Sequence, residues 1–110
     1  MKICNFPTSN RLLAITVFFL WPLLAVAMDA DEYLGDAQSY YDKGDYQAAV
    51  IQLKNALLVE PDNGRTRLLL GLSYLKLEKG QSAYKELNRA RDLGISREAV
   101  IPPLGRALLM

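Results

Sequence analysis

Histidine is absent from this chain, and its one cysteine, Cys4, lies at the very start. Without an imidazole or a thiol in the body of the protein there is no histidine base, no thiolate nucleophile and no Cys/His metal site. Nor is there a glycine-rich phosphate loop or a carboxylate cluster with ligand spacing. No catalytic residue, cofactor or metal is therefore expected, and the chain does not read as an enzyme. Asp42 and Asp45 flank a turn and read as capping and solvated groups, and Lys76, Lys79 and Lys85 as a solvated face. Charge of one sign is missing too: 13 Lys plus Arg stand against 12 Asp plus Glu, a net +1. A nucleic-acid binder shows a basic excess gathered on one face, so no nucleic-acid partner is expected. No stretch alternates with period two over strand length, so no sheet is expected.

Acidic residues are also missing from the first 27 positions, where Lys2 and Arg11 precede an apolar run from Leu12 to Leu24 broken only by Thr16. Ala25-Val26-Ala27 then sets small residues around Val26. A basic start, an apolar run and an A-x-A site form a secretory signal peptide, residues 1–27, cleaved after Ala27. The alternative is an uncleaved anchor, the one way a membrane enters this reading. However, Leu12 to Ala27 is 16 residues, short of the ~20 that span a bilayer, and Pro22 disturbs a helix there. The protein is thus expected outside the cytoplasm, its mature part (28–110) carrying 11 basic and 12 acidic residues.

What the mature part does have is a pattern written twice, 34 residues apart. Ala37 pairs with Gly71, Tyr40 with Tyr74, Ala49 with Ala83, Leu53 with Leu87 and Ala56 with Ala90. Gly105 and Leu108 begin a third copy. A fixed period of this length marks a helical solenoid. The copies run 30–63 and 64–97, with a truncated third at 98–110.

Each copy reads as two helices. Tyr33, Leu34, Ala37, Tyr40 and Tyr41 recur at spacings of three and four between Glu32 and Lys43, burying one face. Gly44-Asp45 stops that helix and caps the next, which runs from Tyr46 to Val59 with Ala49, Val50, Leu53, Ala56 and Leu57 inward. Pro61-Asp62-Asn63-Gly64 is a turn. Helices over Arg65–Leu77 and Gln81–Leu93 repeat the pair around Glu78-Lys79-Gly80. Gly94 ends the last of these. Ser96 is set to cap a final segment, with Pro102-Pro103 placing its regular start near Pro102 rather than Arg97. Small residues at Ala37, Gly71, Gly105, Ala49 and Ala83 let backbones approach, and Tyr40 and Tyr74 are expected to fill the core beside them. Leu104, Leu108 and Leu109 have no polar cap beyond them, which points to marginal stability and self-association.

The order Tyr33, Ala37, Tyr40, Gly44, Asp45, Tyr46, Ala49, Leu53, Ala56, Pro61 resembles the tetratricopeptide (TPR) consensus. The second copy keeps Leu70, Gly71, Tyr74, Ala83, Leu87 and Ala90. Departures are Asp36 for a leucine, Arg67 for the first aromatic and Ile95 for the closing proline. The resemblance implies an all-α helix-turn-helix solenoid of about two and a half repeats. More narrowly, DAQSYYDKGDYQAAVIQLKNALLVEPDN and TRLLLGLSYLKLEKGQSAYKELNRARDLGIS after a leader resemble the start of the PEP-CTERM system TPR protein. That family consists of long exported proteins of Gram-negative bacteria linked to exosortase sorting and exopolysaccharide production. The resemblance implies a periplasmic or envelope-associated scaffold, here a truncated member or amino-terminal fragment. Members are often lipoproteins, and no cysteine follows the apolar run here.

In that geometry the first helix of each pair lines a concave side where peptides or partner helices lie. The residues so implied are Asp31, Leu34, Gln38, Tyr41 and Asp42; then Arg65, Leu68, Leu72, Leu75 and Lys76; and Arg106 with Leu109. Leu34 and Gln38 stand where chaperone-binding relatives carry a lysine and an asparagine, so a carboxylate-terminus clamp is not expected. Leu68-Leu72-Leu75 fits an apolar helix or peptide. The expected function is protein–protein interaction. The alternative is a structural or self-associating segment of a longer solenoid with no binding role of its own.

Overall fold

Residues 28–110 are described by the computed structural model, and the signal peptide expected at 1–27 lies outside them. Among the described residues five helices follow one another: α1 Ala30–Asp42, α2 Tyr46–Val59, α3 Gly64–Lys76, α4 Gly80–Asp92 and α5 Arg97–Leu108. There is no strand among the described residues. Each helix packs on its neighbour in sequence, and α3 also meets α1 on one side and α5 on the other. The chain therefore forms successive helix pairs, α1–α2 and α3–α4, with α5 closing over the second.

Local chemistry sets the boundaries. Asp31 and Glu32 sit in the first turn of α1, where the helix dipole favours them. The Asp45 and Asn63 side chains accept from the backbone N–H groups of Ala48 and Thr66 at 3.1 Å each, capping α2 and α3. Three helices end in one motif. The N–H of Asp45, Lys79 and Ile95 reaches back to the carbonyl of Tyr40, Tyr74 and Ala90, with a shorter bond nested inside each. This closure needs a residue with positive φ just past the helix. Gly44 (82°) and Gly94 (93°) supply it without strain, whereas at the end of α3 the residue is Glu78, at 59°.

The core is continuous but has two centres. Ala37, Val50, Leu53, Leu69 and Leu70 form one between α1, α2 and α3. Leu75, Ala83, Leu87, Val100, Leu104 and Ala107 form the other between α3, α4 and α5. Tyr74 packs against both. Gly71 is the tightest point: a Cβ there would lie 2.6 Å from Leu87 Cγ.

Several expectations from the sequence need correction. The last helix starts at Arg97, with Pro102 and Pro103 inside it. Packing prevails over the prolines because Val100, Pro103 and Leu104 are buried on one side of the helix. The turn before them is closed by the N–H groups of Ala99 and Val100 donating to the Ser96 carbonyl. Ser96 occupies the cap position by its backbone, and its side chain makes no capping bond. Tyr40 is 37% exposed rather than core, while Tyr74 is half-buried. Leu104 belongs to the second core, so it is unavailable for association, whereas Leu108 and Leu109 are exposed. In the second pair Glu78 takes the left-handed position within the expected Glu78-Lys79-Gly80 turn. Gly80 serves close approach instead, since a Cβ there would meet the Ala107 carbonyl oxygen at 2.9 Å.

Candidate binding groove between α1 and α3

The first helices of the two pairs lie side by side, and their exposed sides leave an open groove of about 550 Å³. Its walls are Asp31, Leu34, Gly35 and Gln38 from α1, and Arg65, Leu68, Leu69 and Leu72 from α3. The four α1 positions are each one period of 34 from their α3 counterparts. Within each wall the residues recur at spacings of three, four and seven, which places them along one side of a helix. Leucine meets leucine at the centre: Leu34 packs on the first core, and Leu68 and Leu72 on the second. All three keep part of their surface open.

Six of the residues that the sequence assigned to a concave face therefore lie together: Asp31, Leu34, Gln38, Arg65, Leu68 and Leu72. Four lie beyond the groove walls. Tyr41 and Asp42 end α1, Lys76 ends α3 and Arg106 belongs to α5. Asp42 accepts a 2.9 Å hydrogen bond from the Gln38 amide, which ties it to the groove wall. Tyr41 meets the ring of Tyr46 edge-on, centroids 5.3 Å apart, and Lys76 Nζ lies 6.0 Å from that same ring's centroid. Burial pushes the Tyr41 hydroxyl above its ordinary value. Tyr46 and Asp42 act in the same direction, and Arg106 against them. The phenol thus stays neutral and keeps its proton for donation. Leu75 is a correction: it is buried in the second core, because its position on α3 turns it toward α4 and α5 and away from the open side. Leu109 is 89% exposed just past the end of α5 and lines no part of the groove.

Gly35 and Leu69 were missed by the sequence reading. They are themselves one period apart, and extending the 34-residue register from Leu34 and Leu68 by one position finds both.

On the far side of the second pair, Arg67 donates to Glu86 at 2.8 Å and to the Pro61 carbonyl at 3.0 Å. Arg89 reaches Asp62 at 2.9 Å. These contacts pin the α2–α3 turn to α4 and are structural. Among the described residues no group of three or more acidic, histidine or cysteine side chains is arranged to hold a metal ion. Among them, too, no helix is long and apolar enough to cross a membrane. Compared with known proteins, the chain matches no family model and no curated protein.

Proposed function

We propose that this chain is an exported TPR scaffold that binds a protein partner along the α1–α3 groove. The observation that carries the reading is the groove itself: equivalent positions of two successive repeats present leucines that remain open to solvent beside charged rims. Apolar surface held in a concave, mostly preformed setting is what a protein partner buries. The 34-residue register and the two helix pairs support the TPR identity. The leader pattern at 1–27 supports export to the periplasm or envelope of a Gram-negative bacterium, and the repeat runs support a role in a PEP-CTERM/exosortase and exopolysaccharide system.

A photo-crosslinking side chain at exposed Gln38, compared with one at exposed Ile51 outside the groove, tests this in a host of that kind. A discrete adduct from position 38 and none from position 51 is expected; the reverse pattern overturns the reading. Mass spectrometry of the exported protein should find its first residue at Met28, and an intact Met1–Arg11 in the cytoplasm would refute export.

A second reading, self-association, is favoured by one observation. Ile101, Leu108, Leu109 and Met110 are all exposed large apolar side chains on or just past α5. Light scattering of the Leu108→Gln/Leu109→Gln variant decides it. A shift from dimer to monomer favours the structural role, and an unchanged monomer removes it.

A further inference from the structure

The two helices that border the groove carry opposite charge. α1 has four acidic residues (Asp31, Glu32, Asp36, Asp42) and no basic one. α3 has three basic residues (Arg65, Arg67, Lys76) and no acidic one. Arg67 is spent on Glu86 across the second pair, but Arg65 and Lys76 are exposed, as are Asp31 and Asp42. Asp31 faces Arg65 at one end of the groove, one period apart. Eleven residues further on in each helix, about three turns and so on the same side, Asp42 and Lys76 repeat the polarity. Among the described residues none of these four is in a salt bridge. The groove is thus an apolar channel with Asp31 on one wall and Arg65 on the other, and Asp42 and Lys76 carry the same polarity past its far end, giving an acidic and a basic side.

From this we propose that the partner docks as an amphipathic helix, its leucine-like stripe bordered by basic residues on one side and acidic residues on the other. The basic border lies along α1 and the acidic border along α3. The inference rests on the groove being the binding surface. It favours a helix over an extended peptide because of what the walls lack. An extended backbone needs partners for its own N–H and C=O groups. Here the lining offers four leucines and a glycine against only three polar side chains, Asp31, Gln38 and Arg65. Gln38 already donates to Asp42, and the three are too few and too widely spaced to pair successive groups of an extended backbone. A helix satisfies its backbone internally and needs only an apolar face, presented at i, i+3, i+4 and i+7.

The test uses the full-length protein and three synthetic helical peptides of about five turns. The first has a leucine stripe with lysines along one border and glutamates along the other. The second has the same composition with lysine and glutamate mixed on both borders. The third is the first with its leucines replaced by glutamine. Two matched borders of exposed ion pairs should favour the first peptide over the second by about three- to tenfold at low salt, and the gap should close as salt screens it. Arg65→Glu/Lys76→Glu, which makes both sides acidic, should abolish the gap between the first two peptides. Equal affinity of the first two peptides for the unaltered protein overturns this proposal and leaves the groove as a binding site. No preference of either leucine peptide over the third overturns the groove reading as well.

Discussion

The α1–α2 and α3–α4 pairs share one register, yet they fill four of its positions with different chemistry. Where the second pair has Arg67 and Glu86 in a 2.8 Å ion pair, the first has Tyr33 and Gln52, one period earlier. There the Gln52 side-chain oxygen is buried without a partner. Where the first pair closes α1 on Gly44, the second closes α3 on Glu78 with the same hydrogen bonds but a non-glycine residue at positive φ. Where α1 exposes Glu32, α3 buries Thr66. The small residues behave differently: Ala37 and Gly71, Ala49 and Ala83, Ala56 and Ala90 are all buried. Backbone approach is the fixed requirement of the pair, and the chemistry around it is exchangeable.

The largest effect should separate Gly71 from Gly105, the same register position one period on. A side chain at Gly71 collides with Leu87 Cγ and Cδ2 at 2.6 and 2.8 Å, whereas Gly105 has nothing within 4 Å. Leu87 is fully buried, so it has nowhere to move. Gly71→Leu should lose about 3 kcal/mol in chemical denaturation. Gly105→Leu should be neutral or gain about 0.5 kcal/mol, since leucine is the better helix former. Equal losses at both sites would mean that the packing register is wrong.

Next comes the ion pair. The side chains of Arg67 and Glu86 are 20% and 10% exposed, so removing one leaves the other largely desolvated. Arg67→Ala also takes two donors from the Pro61 carbonyl. A loss of about 2–4 kcal/mol is expected. The exposed Arg89–Asp62 bridge should matter far less, with Arg89→Ala costing about 0.5 kcal/mol. Similar melting temperatures for the two variants would sink the contrast.

These differences also mark how far the sequence was readable. The helices, their pairing order and the small-residue seams followed from apolar spacing and the 34-residue period, because buried faces impose both. Six groove residues came together for the same reason. Leu75 and Tyr40 were misplaced because spacing gives a face without saying which neighbour covers it. Leu75 turns into a core that α5 completes, and Tyr40 turns out of one. Pro102-Pro103 misled because propensity is local, while Val100 and Leu104 anchor that helix from outside it. The Arg67–Glu86 pair spans two helices and carries no periodic signal, and the positive φ of Glu78 is visible only through the register, one period from Gly44, because its residue type does not announce it. The opposite charge of α1 and α3 was present in the sequence, but it acquires meaning only once the two helices are known to be neighbours.

Glu78 gives a smaller test with the opposite sign. A non-glycine residue in the left-handed region costs ~1 kcal/mol, and glycine's extra unfolded-state freedom gives part of that back. Glu78→Gly should therefore stabilise the protein by about 0.5 kcal/mol, whereas Gly44→Ala should destabilise it by about 1 kcal/mol. Nothing lies within 4 Å of a Cβ at Gly44, so that loss reports backbone conformation alone. Thermal melts moving in the same direction for both would show that the two closures are not equivalent.

A stabilising change of similar size concerns Thr66, which is 1% exposed and whose hydroxyl has no hydrogen-bond partner. One period later the same position holds Val100, fully buried in the second core. The chain itself thus places a valine where the shape is equivalent. A buried hydroxyl without a partner keeps its desolvation penalty, and replacing it with a methyl of the same shape removes that penalty. Threonine and valine have similar helix propensity. The Asn63 cap is unaffected because it binds the backbone N–H of residue 66, not its side chain. Thr66→Val should raise stability by about 0.5–1 kcal/mol, and differential scanning calorimetry should show an increase of a few degrees with a transition as cooperative as before. A loss of stability instead would mean that the hydroxyl is satisfied, by an ordered water or by the Asp62 end of the turn, and that the second pair gains from its buried threonine what the first does without.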